Sequence, residues 1–137
     1  MSADGGGTMR GSQATVVAVV SDLILRQRMV EGLAAAGFAP RVASGPTRLR
    51  EALAEGPPTA ILIDLETTGL DAVATIRELR ADPATAGVPL LGFFGHVNTA
   101  VRDAALEAGC DRVATRGEMA MRLDRLMERL LEARATA

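Results

Sequence analysis

The sequence predicts one α/β domain in which a five-stranded parallel sheet is covered by helices on both faces. Three observations predict it. Five short apolar runs alternate strictly with segments of helical period. The first of these runs shows no in/out alternation, as in strands buried on both faces. Two of them close on aspartates, Asp22 and Asp64, at the point where a buried parallel strand reaches the surface and such sheets place their sites.

The elements follow in order. A β-branched run, Thr15 to Val20, forms the first strand. A helix with Leu25, Met29 and Leu33 on one face follows and ends at Gly37. Pro40 to Ala43 makes a short second strand. Ser44-Gly45-Pro46-Thr47 then breaks the chain ahead of a helix carrying Leu49 and Leu53, which ends at Gly56-Pro57-Pro58. Ala60 to Leu65 is the most apolar run and belongs at the centre of the sheet. The helix after it carries Val73, Ile76 and Leu79 and stops at Asp82-Pro83. Pro89 to Phe94 is the fourth strand. Asn98 is a suitable N-cap for a helix with Val101, Ala105 and Ala108, which stops at Gly109. Asp111 to Ala114 is the fifth strand. A final amphipathic helix, from about Glu118, carries Met119, Leu123, Leu126, Met127 and Leu130. The domain is expected over 14–133, with a Gly-rich flexible tail at 1–13 and a short tail at 134–137.

Composition narrows the function. The 137 residues are enough to bury one core without metals or disulfides. A net charge of −2 gives no electrostatic footprint for nucleic acid, and no apolar stretch approaches the roughly 20 residues that span a bilayer. All 15 basic residues are arginine. Cys110 is the sole cysteine and reads as a small core residue, which fits a reducing, cytoplasmic setting. There is no Trp or Tyr, and no Gly-rich phosphate loop follows the first strand. No nucleophile–base set is readable, so no enzymatic activity is expected. His96, the one histidine, reads as an exposed loop residue.

In its order of motifs the chain resembles the receiver domain of two-component response regulators, over about Ala14 to Leu131. Asp64, in Ile61-Leu62-Ile63-Asp64-Leu65, matches the phosphoacceptor that ends the third strand. Asp22 matches the second member of the acidic pair ending the first, the principal magnesium ligand. Asp71, Val88-Pro89-Leu90-Leu91 and Ala108-Gly109-Cys110-Asp111 match further positions of the pattern. The resemblance implies a flavodoxin-like (CheY-like) fold with strand order 2-1-3-4-5 and a role in bacterial two-component signalling. It implies a histidine kinase or downstream signalling protein as partner, and a homodimer through the last helix as an option.

The departures fall on the chemistry. Ser21 stands where the first member of the acidic pair is expected, and Phe94 where a Thr or Ser would bond a phosphoryl oxygen. Arg116 replaces the lysine and Gly117 the proline after it. Val113 replaces the aromatic switch residue, and Thr68 the proline four residues past the acceptor. Preorganised donors and a metal are most of what catalyses phosphoryl transfer, and one lost donor typically costs about 10²–10³ in rate. The expectation is a degenerate receiver, or pseudo-receiver: a stand-alone adaptor that works by protein contact without phosphorylation and holds no cofactor. The competing expectation is a slow phosphoacceptor at Asp64 that uses Mg²⁺, with Asp22, Asp64 and Glu66 as candidate ligands.

Several residues carry two readings. Asp22 is either part of a remnant acidic pocket or the N-cap of the first helix. Arg116 either folds over Asp64 in a standing bidentate pair or is a solvated loop arginine. Thr115-Arg116-Gly117-Glu118 has capping-box spacing, which suits a purely structural loop. The few residues after Leu131 leave no room for an output domain, so a contact surface is expected on the fourth helix, fifth strand and fifth helix. That face offers Arg102, Arg112, Arg122, Arg125 and Arg129.

Overall fold

The structure is a computed structural model that describes residues 14–95 and 98–135. The tail expected over 1–13 and the loop residue His96 lie outside the described residues. Strands β1 (Thr15–Val19), β2 (Ala39–Ala43), β3 (Ala60–Asp64), β4 (Leu90–Phe94) and β5 (Arg112–Thr115) alternate with helices α1 (Leu23–Ala35), α2 (Pro46–Ala54), α3 (Ala72–Ala81), α4 (Thr99–Ala108) and α5 (Arg116–Ala135). All pairings are parallel and the strand order is β2-β1-β3-β4-β5. This is the expected architecture and order.

Strand alternation sorts the apolar residues into two cores. On one face Val16, Ala18, Leu62, Leu91 and Phe93 meet Leu25, Met29 and Leu33 of α1 and Met119, Leu123, Met127 and Leu130 of α5. On the other, Val17, Val19, Ile61, Ile63 and Leu90 meet Leu49 of α2, Ile76 and Leu79 of α3, and Ala105 and Ala108 of α4. Cys110 packs in this second core, and burial pushes its thiol pKa up to about 12, so it is an inert core residue. No helix among the described residues is long and apolar enough to cross a membrane.

The final helix departs from expectation at its start. It begins at Arg116, two residues before Glu118, because Thr115 and Glu118 form the capping box. Glu118 N–H donates to Thr115 Oγ1 (3.1 Å), and Thr115 N–H donates to Glu118 Oε1 (3.0 Å). It runs to Ala135 and is interrupted at Arg122 (φ −139°, ψ 35°). At Arg122, therefore, the side-chain direction set by one helical segment is not continued in the next.

The edge of the sheet where β4 and β5 begin is held by one arginine that the sequence pattern did not single out. From α3, Arg80 donates from Nε to the Gly109 carbonyl (2.8 Å) and from Nη1 to the carbonyls of Ala86 (3.2 Å) and Val88 (2.7 Å). Its Nη2 pairs with Asp111 Oδ2 at 2.8 Å, and the same oxygen accepts the Leu90 N–H at 2.9 Å. Both side chains are largely buried. Gly109 ends α4 at φ +129°, and a Cβ there would lie 2.4 Å from Arg80 Cγ. Glycine is required on both counts.

Gly109→Ala should therefore lose about 2–4 kcal/mol, backbone strain and overpacking together. Chemical denaturation checks this. In an Arg80→Ala background the same change should cost distinctly less, since the steric part has gone; full additivity would show that Arg80 does not press on Gly109.

Candidate functional site

At the opposite edge, where the strands end, the loops bring together residues far apart in sequence. Asp64 is the last residue of β3 and is 1% exposed. Its Oδ1 accepts the backbone N–H of Glu66 at 2.9 Å, and its Oδ2 accepts Arg116 Nη2 at 3.0 Å. Burial is the largest influence on this carboxyl and raises its pKa above the ordinary 3.8, while the Glu66 N–H and the Arg116 charge pull the other way.

Arg116 reaches the site from the first turn of α5. Three carboxylates surround its guanidinium: Asp64 at 3.0 Å from Nη2, Asp22 at 3.9 Å from Nη1 and Glu66 at 3.9 Å from Nε. Of the two readings of Arg116, the contact with Asp64 forms, but through one nitrogen and not as a bidentate pair. The second oxygen of Asp64 already serves the Glu66 N–H, and the fork is spread over three acids instead. A Cβ at Gly95 would lie 3.1 Å from Glu66 Oε1, a tight contact, and 3.5 Å from Arg116 Cδ, an ordinary one. Glu66 Oε1 also accepts the Gly95 N–H, tying the end of β4 to that of β3.

Asp22 serves both of its readings. Its Oδ1 caps α1 by accepting Leu25 N–H at 2.9 Å, and its Oδ2 faces Arg116. Asp71 is likewise the N-cap of α3, accepting Ala74 N–H at 3.0 Å. Ser21 joins two loops: its Oγ accepts from Thr67 Oγ1 at 3.0 Å and from the Thr68 N–H at 3.4 Å. Thr67 was not singled out from the sequence. A hydroxyl two residues from the Asp64 flank gave no signal of its own.

The candidate cation ligands are Asp22, Asp64 and Glu66. Among the described residues no group of three or more His, Cys, Asp or Glu is arranged to hold a metal ion. These three carboxylates converge on a guanidinium, which already supplies positive charge where a cation would need their oxygens. With Ser21 in place of a further carboxylate, the residues present do not fit a hard divalent ion.

The remaining positions sit nearby. Phe94 is buried and, with Val113 and Ala114, lines a cleft of about 170 Å³ rimmed by Asn98, Thr99, Arg102, Thr115 and Glu118. The five arginines expected on one contact face lie on α4, β5 and α5. Arg102 borders this cleft beside Asp103 (3.6 Å), whereas Arg112 and Arg129 share a shallow hollow with Glu132. Arg122 and Arg125 are exposed on α5, Arg122 at its interruption.

No family model and no curated relative matches the sequence. Solved structures do resemble it. A candidate response regulator from Chloroflexus aurantiacus J-10-fl superposes with a TM-score of 0.81 at 20% identity, over 88% of this chain and 99% of that one. NtrX from Brucella abortus gives 0.82 at 22% identity over 90% of this chain, which spans only 28% of NtrX. The chemotaxis response regulator CheY4 of Vibrio cholerae gives 0.79 at 16% identity, over 88% of this chain and 100% of that one. The chain has the CheY-like, flavodoxin-like fold of response-regulator receiver domains.

Replacing Arg116 with Ala should raise the Asp64 pKa further, because two influences that favour the carboxylate are removed. A ¹³C NMR titration of the carboxyl reads it, and an unmoved pKa would refute the pairing. A carboxyl whose folded pKa is raised contributes stability that is complete below its unfolded value and lost as pH rises through the folded one. The variant should accordingly match the parent below pH 3.8 in this respect and fall behind at neutral pH. The deficit should be about 1–2 kcal/mol, reduced from a fully buried pair because Arg116 is 35% exposed.

Proposed function

We propose that this chain is a receiver-like signalling module of the two-component type that acts through protein contact, independently of phosphorylation. The observation that carries the reading is the Arg116 guanidinium, 3.0 Å from Asp64 and 3.9 Å from both Asp22 and Glu66. A tethered cation at this spot supplies the charge that a diffusible ion would bring. The hydroxyl link from Ser21 to Thr67 and Thr68 joins the same two loops that an ion between them would join.

Both oxygens of Asp64 accept a hydrogen bond and the residue is almost wholly buried, so a phosphoryl donor would have to displace Arg116 to approach it. Phe94, buried at the end of β4, offers no hydrogen bond to a phosphoryl oxygen. The reading thus makes the closed pocket a fixed structural feature and leaves signalling to the surface. A kinase or a downstream signalling protein is the kind of partner the fold suggests. The competing reading, slow acceptance of a phosphoryl group at Asp64 with Mg²⁺, requires Arg116 to swing out and the carboxylates to be released to the ion.

Backbone amide NMR with Mg²⁺ and beryllofluoride, a phosphoryl mimic, separates the two. The proposal expects an unchanged spectrum around Asp64, Asp22 and Thr68 up to millimolar concentrations. Saturable shifts there, abolished by Asp64→Asn, would overturn it in favour of the phosphoacceptor.

A further inference from the structure

Resting on the protein-contact reading, a groove on the α2–α3 side of the sheet locates one contact and its chemistry. Two hollows, of about 200 and 440 Å³, open between α2 and α3 and share Arg50, Leu53 and Asp82. The facing walls follow helical period: Leu49, Arg50 and Leu53 on α2, and Glu78, Leu79 and Asp82 on α3. Buried Leu49 and Leu79, with half-buried Leu53 and Leu70, give the groove an apolar floor. Leu70 belongs to the same loop as Thr67 and Thr68, which is tied to Ser21.

The two walls differ in sign. Arg50 is exposed and meets no acid; its one side-chain contact among the described residues is Thr47 Oγ1 at 3.4 Å. Across the groove, the Glu78 carboxylate is exposed and has no partner among the described residues. Asp82 accepts the Ala84 N–H at 2.9 Å but meets no cation there. The neighbouring Arg48 and Glu51 pair with each other at 3.4 Å, and Arg77 lies on the far side of α3 by helical period. A second copy brings no apolar ridge to this groove. The exposed large apolar side chains among the described residues, Leu23, Ile24, Leu106 and Met121, lie on α1, α4 and α5, so a two-fold contact of groove on groove would leave the leucines uncovered. We infer that the α2–α3 groove docks an amphipathic helix of a partner protein. Its apolar stripe covers Leu49, Leu53, Leu70 and Leu79, with a carboxylate flank toward Arg50 and a cationic flank toward Glu78 and Asp82.

Three designed helical peptides with the same leucine stripe test this by amide NMR on the intact chain at physiological ionic strength. One carries Glu on one flank and Lys on the other, one Lys on both flanks, and one Glu on both. The sorted peptide should give saturable shifts at residues 49, 50, 53, 70, 78 and 82 and bind about tenfold more tightly than either of the others. Arg50→Glu, an exposed change that leaves the core intact, makes both walls acidic and should move the preference to the Lys-only peptide. Equal affinities, shifts confined to other faces, or no response at millimolar concentration would overturn the inference. So would concentration-dependent shifts at these residues without peptide, which would assign the groove to a second copy. Beryllofluoride reads the Asp64 pocket and the peptides read the groove, so failure of this inference is distinct from failure of the functional reading.

Discussion

A carboxylate buried at the end of the central strand is the constraint around which the functional edge of this molecule is built. Ionised Asp64 has almost no access to water, and an unpaired buried charge would cost several kcal/mol. The fold answers with two donors of different origin, a backbone N–H two residues away and a guanidinium from 52 residues further along the chain. Other local choices follow. Gly95 leaves room for Glu66, which turns back to hold the Gly95 N–H. Thr115 caps α5 so that Arg116 leaves its first residue.

The same side-chain type secures the other edge. Arg80 joins the end of α3, the loop before β4, and the turn before β5 through three carbonyls and the Asp111 carboxylate. An ammonium on a flexible stem concentrates its charge at one point, whereas a planar guanidinium presents five donors in a fixed fork. Several acceptors spread around one group are what both edges demand. The two sites differ in consequence: Arg80 meets mainly backbone and fixes the framework, while Arg116 meets three acids and fixes the charge state of the pocket.

The parts of this structure that depend on period and composition were legible in the sequence. The strands follow apolar runs without alternation, and the helices follow Leu25-Met29-Leu33 and Leu123-Leu126-Met127-Leu130, which the structure buries as read. The aspartates at 22 and 64 were legible because strand ends fix where their backbone sits. Where a long side chain goes was not. Arg116 had two defensible readings because its direction depends on the capping box and on the β3–α3 loop together. Arg80 and Thr67 gave no pattern at all: their partners are carbonyls and a hydroxyl supplied by other loops. The break at Arg122 was hidden for a related reason, since nothing in the apolar period of α5 marks it.

On the proposed reading, replacing an exchangeable ion with a tethered guanidinium changes what the pocket can report. An ion site has an occupancy that follows concentration, and differential affinity for two conformations is what lets a ligand shift their balance. A covalently attached cation has no concentration to follow. It can still be competed for, because Arg116 is one-third exposed and lines a hollow between α1 and α5. A carboxylate arriving at that hollow would strengthen its own binding to the extent that it drew on the guanidinium, and it would leave Asp64 correspondingly less compensated. The remaining route to the pocket is then a surface contact, which couples partner and carboxyl through one shared arginine.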